Sequence, residues 1–132
     1  MEELKKPMLD TNSQLIGHTD GLVEGGKGLR FDVKNKSGGK VPAFVVLFDG
    51  QYFAYLNQCG HIALQLDYMP GEFFSDDGQT LICATHGAEY APDTGACLGG
   101  PCYGVGLDAI TISEVDGKLY LHSDTLEVIA NN

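Results

Sequence analysis

Two short stretches decide how this chain is read: Cys59-Gly60-His61 and, after a gap of 21 residues, Cys83-Ala84-Thr85-His86-Gly87. In each, a Cys comes first and a His follows two or three residues later, which suits two loops that each bring one sulfur and one nitrogen to a common centre. Thiolate with imidazole selects zinc or iron–sulfur chemistry over magnesium and calcium, which take oxygen. Zinc sites commonly join Cys to Cys and His to His, whereas both pairs here are mixed. A mixed set favours a binuclear centre in which one iron takes both sulfurs and the other both nitrogens. Cys59, His61, Cys83 and His86 are therefore the candidate ligands, with a structural zinc ion on the same four side chains as the alternative.

The bulk properties bound the rest. A length of 132 residues suits one domain, 1–132, and is too short for a metal module plus a catalytic domain. Hydrophobic residues at 43%, charged residues at 20% and 18 glycines describe a loop-rich globular chain of β type. No apolar run is long enough for a membrane span. The charged opening Met1-Glu2-Glu3-Leu4-Lys5-Lys6-Pro7 leads into no apolar segment, so a signal peptide is not expected and a cytoplasmic location, with reduced thiols, is. Net charge is −10, and seven of the eight basic residues fall in the first 40 positions. From Val41 to Gly117 there are ten acids and no base, among them Asp67, Glu72, Asp76, Asp77, Glu89 and Asp93 around the Cys/His stretches. Such a surface excludes nucleic acid as a partner and suits a protein with a basic docking face. Acids that merely keep a small protein in solution are the plainer explanation.

Working outward, Gln51–Leu56 is a β-rich run that ends just before Cys59, and Pro42–Phe48 is another. Asp49-Gly50 between them predicts a two-residue hairpin turn, because both residues tolerate positive φ. Thr80-Leu81-Ile82 repeats the device by delivering Cys83, with Ala88-Glu89-Tyr90 as its partner and Asp93-Thr94-Gly95 as the next turn. Leu29–Val33 alternates as a half-buried strand does. Leu107–Ile112 and Leu119–Leu121, joined across Asp116-Gly117, close the framework, and Leu126–Ile129 adds an edge strand or helical turn. Residues 1–20 show no period and read as a flexible arm. The pattern predicts an all-β framework, an antiparallel sandwich or barrel, with a small metal-binding subdomain at 59–104 inserted into it.

These residues resemble the Rieske 2Fe-2S family. Cys59-Gly60-His61 with Leu66 five residues on is similar to its first box, and Cys83-Ala84-Thr85-His86-Gly87 to its second. Thr94-Gly95-Ala96-Cys97-Leu98-Gly99-Gly100-Pro101 resembles its Thr-Gly stretch and proline loop, so Leu66, Tyr90, Gly100 and Pro101 would surround the ligands. The resemblance covers about residues 25 to 125. The gap between the boxes is longer than is usual, and the surplus is expected as a surface loop in Asp67–Gly78. The resemblance implies one 2Fe-2S cluster per chain, with Cys59 and Cys83 on a buried iron, His61 and His86 on the outer one, and the electron leaving by the histidine edge. With two ferric ions, two sulfides and two thiolates the oxidised core is neutral, so its potential lies above that of all-Cys clusters.

Three departures lower that expectation. Ala88 stands where high-potential members have Ser, although Tyr90 keeps the second hydroxyl. Leu64 and Ala84-Thr85 leave no disulfide between the boxes. Ten acids with no base nearby in sequence add negative charge. A low-to-intermediate potential results, as suits a stand-alone Rieske-type ferredoxin. Such a protein is a one-electron carrier, not an enzyme, and passes electrons from a reductase to an oxygenase or a similar redox partner. A monomer is favoured. A non-catalytic subunit or redox-sensing module of a larger enzyme is the second reading. Cys97 and Cys102 are expected as free thiols in the third loop, and His18 and His122 as surface or packing residues.

Overall fold

A computed structural model describes residues 13–58, 65–67, 69–84, 87–100, 102 and 104–129. Among these residues there are strands and turns and no helix, so none is long and apolar enough to cross a membrane.

The centre is a five-stranded antiparallel sheet. It contains β2 (Leu29–Lys34), β3 (Lys40–Phe48), β4 (Gln51–Leu56), β8 (Ala109–Ile110) and β11 (Glu127–Ile129), in the order β11-β2-β3-β4-β8. β3 and β4 form the expected hairpin, with Phe44 opposite Tyr55 and Val46 opposite Phe53. Asp49 and Gly50 take φ of 53° and 75°, the left-handed pair that such a turn requires. The Glu24 carboxylate accepts the amides of both turn residues, which caps the hairpin. Ala43, Phe44, Val45 and Val46 are all buried, so β3 is covered on both faces.

The two faces carry two cores. On one, Ala43, Val45 and Ala54 pack with Phe31, Val33, Leu119 and Leu121. This side is closed by a second antiparallel sheet of β1 (Ser13–His18), β10 (Lys118–His122) and β9 (Ile112–Val115), in the order β1-β10-β9. On the other, Phe44, Val46 and Tyr55 pack with Leu66, Phe73, Leu81, Cys83, Ala88, Tyr90 and Cys102. A third small sheet, β5 (Leu81–Ile82), β6 (Glu89–Tyr90) and β7 (Cys97–Gly99), lies within that side. The fold is thus all-β, with two sheets packed as a sandwich and a small subdomain on the outer face.

Several expectations change. Residues 13–18 of the supposed arm form β1, whose register shifts between Leu15 and Gly17. The bulge breaks the alternation and leaves Leu15 exposed while Ile16 packs on the core, so no period is legible. Cys97–Gly99 is a strand that pairs with β6, not a loop. Asp67–Gly78 is not simply a surface loop, because Asp67 and Phe73 are buried and Phe74 bridges Leu81. Leu107–Ile112 divides, with Ile110 pairing in the central sheet and Ile112 in the second. Asp116 and Gly117 make the expected turn with φ of 52° and 79°.

Candidate metal centre

Of the four candidate ligands, Cys83 lies among the described residues; Cys59, His61 and His86 lie outside them, as does Pro101. Cys83 follows β5 directly and is fully buried with its thiol free. Its amide donates to the Ala88 carbonyl at 2.8 Å, and its carbonyl accepts the Gly87 amide at 2.7 Å. These two bonds hold the two ends of the second box together. Gly87, at φ 78°, supplies the left-handed conformation that ends it.

The first box leaves from the end of β4. Asn57 donates its backbone amide to the Pro42 carbonyl at 2.8 Å, which extends the sheet by one residue. On the far side of the box, the Leu66 amide donates to Asn57 Oδ1 at 2.8 Å. The Leu66 carbonyl then accepts the amide of Ala84, the residue after Cys83, at 2.9 Å. Chain on both sides of the first box is therefore anchored beside the second. Leu66 is fully buried, so its place after the first His is a packing position.

The third loop rests on the same turn. Gly100 has φ 82°, and a side chain there would come within 2.9 Å of the Gly87 carbonyl and Ala88 Cα. No other residue type fits so close an approach. Cys97 and Cys102 are not free thiols: their sulfurs are bonded, across Cα atoms 6.0 Å apart, a spacing within disulfide range. They lie five positions apart, a spacing that does not by itself compel a bridge. Cys102 and Tyr90 are both fully buried in the cluster that contains Cys83. His18 is exposed, and His122 is held between Ser13 Oγ and Ser113 Oγ in the second sheet.

The Thr-Gly stretch meets the central sheet at Tyr55. The Tyr55 hydroxyl donates to the Pro92 carbonyl at 2.8 Å. Gly95, at φ 77°, lies against the Tyr55 ring, where a Cβ would be 2.7 Å from Cε1. Burial, with a further contribution from the Asp93 charge, pushes the Tyr55 phenol up to about 12.

Sequence reasoning missed one ion pair in the chain that follows the first Cys/His stretch. Arg30 on β2 pairs with buried Asp67, Nε to Oδ2, at 3.0 Å. The stretch that carries no base in sequence thus receives one in space. Nothing local marks Arg30, which lies 37 positions before its partner. A free, buried thiol, a close backbone approach at Gly100 and the flanks of the other Cys/His stretch anchored alongside fit an iron–sulfur centre better than a solvent-lined ion site.

The model of the Rieske [2Fe-2S] domain matches residues 13–115. Among solved structures the chain is similar to a ferredoxin of Sphingomonas yanoikuyae B1, at 20% identity, TM-score 0.64 and coverage of 85% of this chain and 99% of that one. It is also similar to the ferredoxin of carbazole 1,9a-dioxygenase from Nocardioides aromaticivorans IC177, at 22% identity, TM-score 0.65 and coverage of 84% and 97%. A complex of reduced oxygenase and oxidized ferredoxin in carbazole 1,9a-dioxygenase matches at 21% identity, TM-score 0.64 and coverage of 88% and 97%. No curated protein sequence matches.

Proposed function

We propose, for a chain that belongs to the Rieske [2Fe-2S] domain family, the role of a one-electron carrier that passes electrons between a reductase and an oxygenase-type acceptor. Cys59 and Cys83 would hold the inner iron through sulfur, and His61 and His86 the outer one through nitrogen. The cluster, when bound, supplies a centre that accepts and releases a single electron. The chain's own part is to fix the ligands and keep water from the sulfurs. Leu66, Ala88 and Tyr90 share one buried cluster with Cys83, and Gly100 lets the third loop approach the Gly87-Ala88 backbone. We take 59–104 as the metal-binding subdomain and the whole chain as one domain, with a basic face on the partner opposite its acids.

The observation that carries this reading is the bond from Ala84 N to Leu66 O, which holds the flank of one Cys/His stretch against the other. The similar structures, ferredoxins with one of them in complex with an oxygenase, support the choice of partner.

Anaerobically purified protein, oxidised and then reduced, should give the visible absorption and electron paramagnetic resonance of a cluster with mixed sulfur and nitrogen ligands. It should also turn over between a flavin reductase and an oxygenase. A colourless protein holding one zinc ion would defeat the reading. A coloured protein that exchanges electrons with neither partner would favour the sensing module.

A further inference from the structure

Two polar side chains are buried in the described part of the molecule, Asn57 at 1% exposure and Asp67 at 6%. They stand on either side of the first Cys/His stretch, and they are bonded to each other, Asn57 Nδ2 to Asp67 Oδ1, at 2.9 Å. Each lone-pair site that faces inward is used. Asn57 Oδ1 accepts the Leu66 amide at 2.8 Å. Asp67 Oδ2 accepts the Gly71 amide at 2.9 Å and lies 3.0 Å from Arg30 Nε. The other arm of the Arg30 guanidinium donates to Gln65 Oε1 at 2.8 Å.

A buried carboxylate and amide are expensive to desolvate, and none of their buried polar atoms is left without a partner, so each bond constrains its neighbours. The bonds also run in one direction. Arg30 belongs to framework strand β2, Asn57 to the exit of β4, and Asp67 to the chain after the first box. From Leu66 the path continues through its carbonyl to the Ala84 amide, next to Cys83. One connected set of polar groups therefore joins the central sheet to both ligand stretches.

We infer that Arg30, Asn57 and Asp67 are positioning residues for the metal centre: they clamp the two ends of the first ligand loop together and set its distance from the second box. The inference rests on the ligand assignment above. A loop whose ends are already bonded through Asn57 and Leu66 has less conformational entropy to lose on ligand capture. Asp67→Asn presents an amide donor to Asn57 Nδ2 or to the Arg30 and Gly71 N–H groups, donor against donor. Arg30→Gln removes the charge and the fork, and Arg30→Lys restores only the charge.

The test compares metal-loaded wild type, Asp67→Asn, Arg30→Gln and Arg30→Lys for loss of visible absorbance in excess chelator and for midpoint potential. Amide hydrogen exchange at Leu66, Gly71 and Ala84 is followed in the same proteins with the metal removed. Loss of the centre should be roughly 10–100-fold faster in Asp67→Asn, the usual range when an outer-shell partner is removed. It should be faster by a smaller factor in Arg30→Gln and intermediate in Arg30→Lys, with a shifted potential and reduced amide protection in Asp67→Asn. Wild-type retention, potential and exchange in the variants would overturn the inference. If Asp67→Asn does not fold, the order of the two Arg30 variants decides. If the wild type binds no iron–sulfur centre, the ligand assignment fails, and the exchange data on metal-free protein alone decide whether the clamp exists.

Discussion

Phe73 lies flat on Phe44, ring centroids 4.0 Å apart and planes 13° from parallel. Phe44 sits in the central sheet and Phe73 in the chain between the two Cys/His stretches, so this stack attaches the subdomain to its framework. Both rings are fully buried. Truncating Phe73 to Ala removes the contact and leaves a cavity, at a cost of about 3–5 kcal/mol. Urea denaturation should show the midpoint lowered accordingly, with Phe73→Leu less affected. An unchanged midpoint for Phe73→Ala would mean that the subdomain is held by other contacts.

Tyr55 should make stability depend on pH in the alkaline range. Its phenol ionises at about 12 in the folded chain, against 10.0 for the unperturbed group. The unfolded state therefore gives up this proton first. The stabilisation is whole below pH 10 and is lost as pH climbs through 12. Tyr55→Phe should flatten that decline and cost about 1–3 kcal/mol at neutral pH, since the Pro92 carbonyl loses its partner. A decline of the same steepness in both proteins would assign it to other groups.

Thiol titration separates the two kinds of cysteine. Unfolded, metal-free and unreduced chain should expose two thiols, Cys59 and Cys83, and four after reduction, because Cys97 and Cys102 are bonded. For so short a loop, opening the bridge should lower stability by about 2 kcal/mol. Finding four thiols before reduction would show that the bridge is not formed in the isolated protein.

His86→Cys replaces a neutral ligand with a charged one, so the loaded protein should move toward all-thiolate behaviour and a lower potential, or lose the centre. A spectrum identical to wild type would remove His86 from the ligand set. The milder Tyr90→Phe should lower the potential modestly if the hydroxyl serves a cluster sulfur, and leave it unchanged if the buried ring only packs.

How much was legible varied with the range of the interaction involved. The Asp49-Gly50 and Asp116-Gly117 turns were read correctly because a positive φ is a demand on two neighbouring residues alone. Strand β4 was read to the residue because its apolar run is bounded by that turn. β1 was missed because a bulge at an edge destroys the only local signal a strand has. The family match reaches back to residue 13 and so includes it, where the motifs alone suggested a start near 25.

Charge misled in the same way. Ten acids without a base over Val41–Gly117 is a fact of order along the chain. Folding sets Arg30 against Asp67, and the carboxylate that looked solvated is buried and paired. The acid-rich composition therefore overstates the negative charge at the site.

The ordered amino acids were enough to propose the ligand types and their spacing, and to give the two Asp-Gly turns and the β character of the scaffold, since each depends on side-chain chemistry or on backbone preferences within a few residues. The tertiary structure alone decided which groups meet: Leu66 with Ala84, Asn57 with Asp67, Arg30 with Asp67, and, nearer in sequence, Cys97 with Cys102. Those contacts follow from how sheets pack and loops close, and the free energy of burying a polar group or approaching a glycine is settled only once the partner has arrived.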